Sequence, residues 1–169
     1  MYAIGDKIVY PMHGAGFIED IETRCIGGRK IDYYVIRILN GNIKLFLPVE
    51  SKSDIRLRPV SSPEQAKKIL RDFEAEDVDP NIAWQKRYQF NLSRLKEGDL
   101  ENVSKVVREL IVRDATHGLS TEDRKMYILA RGILAKEISI VLGIEEKELS
   151  ERFSNIIKEK LDALVSAEG

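Results

Sequence analysis

The first sixty residues alternate short apolar runs with turn residues, which is the pattern of β-strands. Pairs such as Gly27-Gly28 and Asn40-Gly41 separate runs rich in valine, isoleucine and tyrosine, and such pairs favour tight hairpins. Five short strands at this spacing predict a small, highly curved antiparallel barrel. The predicted strands cover 7–10, 17–23, 31–39, 43–47 and 55–58, and the glycines that follow the first are expected to form a turn.

From Ser62 onward the apolar residues recur every three or four positions, which is the period of an amphipathic helix. Ser62, Pro63 and Gln65 supply an N-cap, a proline at the first helical position and the third-position partner of a capping box. An acidic stretch ending at Pro80 predicts a helix end and a linker. Four further helices are predicted over 81–97, 100–117, 120–143 and 146–165.

This patterning predicts an α+β chain of two domains, an SH3/Tudor-like β-barrel over 1–60 and an all-α helical bundle over 61–169. The 169 residues include 27 basic and 28 acidic side chains, so the formal charge is −1. This balance excludes a histone-like DNA coat, and the 43% of hydrophobic residues excludes a disordered tail. No run approaches the roughly 20 apolar residues that span a bilayer, so we expect a cytoplasmic protein without membrane contact.

The sequence offers little chemistry, because it contains no phosphate-binding loop, dinucleotide fingerprint, nucleophile elbow or zinc-protease motif. We therefore expect no enzyme, no catalytic residue and no cofactor. Cys25 is the only cysteine, and with only His13 and His117 beside it a metal site is not expected. We interpret Cys25 as a small packed hydrophobic residue of a strand and His13 as part of a tight turn, the alternative being a nucleophile or an anion-binding loop.

One basic segment of the helical half suggests a binding role. Pro80 to Lys96 contains four basic and no acidic side chains, together with Trp84, the only tryptophan. Near the first turn of its predicted helix, Trp84 could project past the helix end and contact a base step while basic residues bind phosphates. In the alternative interpretation, Trp84 packs against Tyr88 and the charges solvate a helix face.

Collinear segments along nearly the whole chain resemble the bacterial CarD/CdnL family of RNA polymerase-binding regulators. The first module alone also resembles the polymerase-interacting domain of the transcription-repair coupling factor, but the match in the helical half favours CarD. The segments are IGDKIVYPMHGAG (4–16), YVI (34–36), LPV (47–49), WQKRY (84–88), VVREL (106–110), GLS (118–120), KM (125–126) and AR (130–131).

The resemblance implies a Tudor-like domain that binds the polymerase β subunit by strand pairing. It also implies a helical domain that contacts promoter DNA at the upstream edge of the bubble, where a tryptophan enters the minor groove. The residues that it assigns are Arg24, Val35, Phe46 and Pro48 to polymerase, and Trp84, Lys86 and Arg87 to DNA.

Two positions depart from relatives, since Phe46 and Gln89 stand where some relatives have a basic residue. A contact at 46 would be apolar, or Phe46 would belong to the barrel core.

The resulting expectation is a non-catalytic, monomeric transcription regulator that stabilises the promoter open complex. The alternative is an adaptor on polymerase or a repair factor that never touches DNA. Residues 1–60 hold nine basic and seven acidic side chains, whereas 61–169 hold 18 and 21. Because the proposed DNA-contacting half is net acidic, its independent affinity for DNA should be weak.

Overall fold

The chain divides into two compact units, Met1–Val60 and Ser61–Gly169. This computed structural model describes residues 1–52, 54–82 and 84–168. The first unit is formed by an antiparallel sheet and the second by helices, so the predicted two-domain α+β architecture is confirmed.

The first unit is built on one five-stranded sheet. Its strands are β1 (Lys7–Tyr10), β2 (Gly14–Ile26), β3 (Arg29–Ile38), β4 (Ile43–Pro48) and β5 (Arg58–Pro59). The spatial order is β4-β3-β2-β1-β5, and all the pairs are antiparallel. Neighbours in sequence pair with each other, except that β5 returns to pair with β1. This order leaves β4 and β5 at the two edges of the sheet.

The glycines after β1 are strand residues, so the turn predicted there is wrong by a few positions. Gly14 and Gly16 both lie in β2, and the turn occupies residues 11–13, where Met12 takes a φ of 70°. A Cβ at Gly16 would clash with the carbonyl oxygen of Arg37 on β3. The glycine is therefore required for the close approach of two strands rather than for a turn.

One face of the sheet forms the core of the first unit. Tyr34, at 4% exposed, is its largest buried aromatic side chain, and its hydroxyl accepts a hydrogen bond from the Tyr2 N–H at 2.9 Å. The full buried cluster is Ile8, Ile18, Tyr34, Ile36, Ile38 and Leu47.

Cys25 departs from its interpretation as a packed hydrophobic residue, because it is exposed. Cys25 is a strand residue as interpreted, because β2 runs on to Ile26, but the last residues of β2 lie in the hairpin with β3, beyond the buried cluster.

The second unit contains five helices arranged around α3. They are α1 (Pro63–Ala75), α2 (Arg87–Glu97), α3 (Leu100–Thr116), α4 (Thr121–Leu142) and α5 (Glu146–Glu168). α3 contacts each of the other four, and Phe73 and Phe153 pack with ring centroids 4.9 Å apart. The capping box predicted at Ser62 is confirmed, with the Gln65 N–H donating to the Ser62 hydroxyl. None of the described helices is long and apolar enough to cross a membrane.

α2 begins later than predicted. The apolar spacing predicts a helix from residue 81, but Asn81, Ile82 and Trp84 lie outside any helix, and position 83 falls outside the described residues. Helix α2 starts at Arg87 after Lys86, which takes a left-handed conformation with a φ of 62° and offers no side-chain cap. The helix follows a turn in which the Arg87 N–H donates to the Trp84 carbonyl at 3.1 Å.

Candidate functional site

The edge strand β4 presents an exposed aromatic side chain. Phe46 is 41% exposed, so the alternative that it belongs to the core is wrong. Arg24 of β2 lies above it, with the guanidinium carbon 4.2 Å from the Phe46 ring centroid and 5.8 Å from that of Tyr33. Glu22 pairs with the same guanidinium at 3.2 Å and helps to hold it over the rings. A cation and two aromatic rings thus form one surface.

Val35 and Pro48 complete this surface in different ways. Val35 lies directly opposite Phe46 in the β3–β4 register, so both side chains are on the same face of the sheet, but Val35 is covered and only 1% exposed. Pro48 lies opposite Tyr33 at the end of β4 and is half-buried. We call Arg24, Tyr33, Phe46 and Pro48 the β4 edge patch; Tyr33 is a member that the sequence did not reveal.

A bulge in β2 places a carboxylate beside this edge. The register shifts between Ile18 and Asp20, and the extra residue, Glu19, reaches Arg37 at 3.2 Å and Lys44 at 3.5 Å. Hydrogen bonding from Arg37, aided by Lys44, lowers the pKa of the Glu19 carboxyl below its ordinary value. Since this ladder crosses β2, β3 and β4, it stabilises the strand pairs that carry the patch.

In the second unit, Trp84 lies outside the helices and is half-buried. Arg113 of α3 covers its ring, with the guanidinium carbon 5.0 Å from the centroid. The indole N–H is buried and, among the described residues, has no hydrogen-bond partner. An unpaired buried N–H costs about 1–3 kcal/mol, so this placement of the indole is not a fully satisfied core position.

The basic residues beside Trp84 differ in how they are held. Lys86 is exposed, whereas Arg87 lies 3.9 Å from Glu109 of α3, which also binds Arg94 at 3.0 Å. Phe90 is 47% exposed and lies between the two arginines, with its ring centroid 5.2 Å from Arg87 and 4.2 Å from Arg94. The start of α2 is thus a basic and aromatic surface anchored by one carboxylate.

The segment that leads to Trp84 rests on α3 as well. The Arg108 guanidinium donates to the backbone carbonyls of Phe73, Glu76 and Asp77, where α1 ends. Glu109 and Arg113 follow on the same helix and contact the later part of the segment. α3 therefore fixes the course of the chain from the end of α1 to the start of α2.

The structure brings Arg24, Val35 and Phe46 together at one sheet edge, and Pro48 ends the same strand. In the second unit, Trp84 and Arg87 both contact helix α3, Trp84 through Arg113 and Arg87 through Glu109. Sequence reasoning missed these two α3 residues. The available signal for Glu109 was its position in VVREL (106–110), one of the segments that carry the resemblance, whereas Arg113 lies outside those segments.

Within the described residues, no group of three or more histidine, cysteine, aspartate or glutamate side chains could hold a metal ion. The two surfaces offer cation–aromatic and backbone contacts, and such contacts serve binding.

Comparison with known proteins identifies the family of both units. The CarD-like/TRCF RID domain matches residues 2–61, and the CarD C-terminal domain matches residues 68–154. The two matches together cover most of the chain. The chain belongs to the CarD family. It is also 35% identical over 149 residues to "Putative transcription factor YdeB" of Bacillus subtilis (strain 168), covering 88% of this chain and 97% of that protein.

Membership of the CarD family makes this chain a transcription factor that interacts with RNA polymerase and not an enzyme. The first unit corresponds to the polymerase-interaction domain, which contains the β4 edge patch. The second corresponds to the CarD C-terminal domain, which contains Trp84.

Proposed function

We propose that this CarD-family protein stabilises the promoter open complex by binding the polymerase β subunit and contacting DNA at the upstream edge of the bubble. The observation that carries the proposal is the placement of Trp84 outside the helices and half-exposed, beside basic residues at the start of α2. A fully packed core tryptophan would have argued against it.

The β4 edge patch is the proposed polymerase contact. β4 has a sheet neighbour on one side only, so a strand of the partner can pair with its other side. Phe46 and Arg24 would add a side-chain anchor, since exposed aromatic and arginine residues dominate the energy of many interfaces. Val35 would act indirectly by holding Phe46 in place.

The proposed DNA contact is a minor-groove wedge. An aromatic side chain inserted at a base step opposes restacking, and Lys86 and Arg87 would bind the flanking phosphates. The protein then stabilises the open complex only by the difference between its affinities for the open and closed states. This needs no covalent chemistry, no cofactor and one copy of the chain, and it takes place in the cytoplasm with the polymerase.

Permanganate probing of promoter melting tests the wedge. Trp84→Ala should remove the increase in bubble lifetime while polymerase binding and the unfolding transition stay unchanged. Ile128→Ala, which truncates a 55% exposed apolar side chain on α4, is the control and should behave as wild type. If Trp84→Ala unfolds the helical unit instead, Trp84 is structural and the wedge is wrong.

A second candidate function is a protein adaptor that never touches DNA. The net charge of −3 over residues 61–169 favours it, because phosphate repulsion weakens non-specific binding. A photocrosslinker at position 84 in the polymerase–promoter complex separates the two, since the wedge predicts a crosslink to DNA and the adaptor a crosslink only to protein.

A further inference from the structure

Arg113 contacts the Trp84 indole. It lies in the last turn of α3, is half-buried, and stacks its guanidinium 5.0 Å from the indole centroid. Across residues 1–52, 54–82 and 84–168, no carboxylate lies within ion-pair distance of it. Its charge is therefore not neutralised by a carboxylate of the described residues.

The neighbouring arginines are committed to other partners. Arg87 and Arg94 both pair with the Glu109 carboxylate. The Arg108 guanidinium donates hydrogen bonds to the backbone carbonyls at the end of α1. Arg113 is thus the arginine on this side of α3 whose guanidinium has no acidic or carbonyl partner in the described part of the chain. A cation kept unpaired beside an aromatic ring is suited to bind an anion.

Stacking on an aromatic ring does not use up the donors of a guanidinium. The ring contacts the flat face, while the N–H groups point outward in the plane and match the geometry of a phosphate. In a wedged duplex, the backbone phosphates run past both sides of the inserted aromatic side chain. Arg113 is therefore placed to reach a phosphate next to the step that Trp84 enters.

We propose that Arg113 donates hydrogen bonds to a DNA backbone phosphate beside the Trp84 insertion site, in addition to holding the indole. This inference rests on the proposed DNA contact. It names the partner as a phosphate of the promoter, because Arg113 contacts the same side chain that enters the DNA.

The salt dependence of binding measures this contact directly. For wild type and Arg113→Gln, the apparent affinity of the full chain for the polymerase–promoter complex is measured over a series of salt concentrations. Loss of one phosphate contact lowers the slope of log affinity against log salt by about 0.9. Contributions from polymerase binding are shared by both proteins and cancel in the difference between their slopes.

Two variants separate charge loss in general from loss of this contact. Arg124→Gln removes a 54% exposed arginine that pairs with Asp114 at 3.4 Å, and it should leave the slope unchanged. Arg113→Lys keeps a cation and should retain the wild-type slope. Arg113→Met, whose long stem still covers the indole, replaces the glutamine variant if that one unfolds.

A purely structural role of Arg113 gives a different result. Because Trp84 is the only tryptophan, 5-fluorotryptophan labelling yields a single fluorine resonance that reports its surroundings. If Arg113→Gln moves this resonance in the free protein but leaves the salt slope as in wild type, Arg113 only positions the indole and the phosphate contact is wrong. Failure of Trp84→Ala to shorten bubble lifetime would instead overturn the wedge, while the slope still decides whether Arg113 contacts a phosphate.

Discussion

Val35 and Phe46 face each other across two strands, yet their environments give them different roles. Val35 is 1% exposed, so truncating it leaves a cavity beneath the patch. Phe46 is 41% exposed, so truncating it removes mainly surface contact. A polymerase-binding assay alone would not distinguish the two, because either change would weaken the interaction.

Phe46→Ala should reduce affinity for polymerase and leave the free energy of unfolding within about 0.5 kcal/mol of wild type. Val35→Ala should cost about 2 kcal/mol of stability, since it removes buried methyl groups and leaves a void. Urea unfolding and polymerase pull-down with the full chain check both effects. Ile43→Ala is the matched control, because Ile43 is equally exposed on β4 but points to the opposite face. Equal loss of binding in Ile43→Ala would contradict a role for the patch.

At the scale of elements, α2 begins directly after a residue in a left-handed conformation. Lys86 precedes the helix in a left-handed conformation that costs a residue with a Cβ about 1–2 kcal/mol. The helix begins after this residue, so Trp84 lies outside it, and its indole contacts Arg113 of α3. Backbone strain retained at such a position is typical of functional sites.

Lys86→Gly should therefore raise the stability of the helical unit by up to about 1 kcal/mol, because glycine takes this conformation without steric cost. The same change should weaken the promoter effect, since it removes a cation beside Trp84. Lys86→Ala is the control: it removes the charge and keeps the strain, so stability should not rise. Thermal unfolding and bubble lifetime together test this, and a glycine variant no more stable than the alanine variant would show that the strain is absent.

Elements with local signals could be predicted from the sequence, and those set by distant contacts could not. The N-terminal caps at Ser62 and Ser120 lie next to the helices they start, so both starts were predictable. The start of α2 was not, since the apolar spacing of Trp84 and Tyr88 imitates a helix while the indole is held by Arg113. For Gly16 the sequence predicts a turn, since the clash that requires a glycine there involves Arg37 of β3 and leaves no local signal.

The residues of the candidate site also differ in whether the sequence alone could identify them. Trp84 and Phe46 were identifiable because a family resemblance marks single positions, but the exposure of Phe46 depends on which face of β4 is buried. Arg113 lies outside the segments that carry the resemblance, and Glu109 lies within one of them, VVREL (106–110), without an assigned role. Their roles arise only when α3 packs against the segment before α2, which is a long-range contact that periodicity does not encode.

At the scale of the whole molecule, the two units differ in net charge. The first unit is net positive by two and the second net negative by three, so the unit with Trp84 has little general attraction to DNA. In the proposed function, polymerase binding through the first unit would raise the local concentration of Trp84 at the promoter. In this proposal, the β4 edge patch determines how much of the polymerase carries the protein. The Trp84 surface determines how strongly the bound protein favours the open complex.

Protein concentration should distinguish these contributions. Phe46→Ala should shorten bubble lifetime at low protein concentration and recover the wild-type value at saturation. The reason is that it weakens the affinity for polymerase and leaves the Trp84 contact with DNA unchanged. Trp84→Ala should remain defective at every concentration, because occupancy cannot replace a contact that favours the open state over the closed one. Titrating each full-length variant into a permanganate assay checks both. If Trp84→Ala recovers the wild-type bubble lifetime at saturation, Trp84 supplies only affinity. If the Phe46→Ala defect persists at saturation, the polymerase contact itself changes the equilibrium between the open and closed complexes.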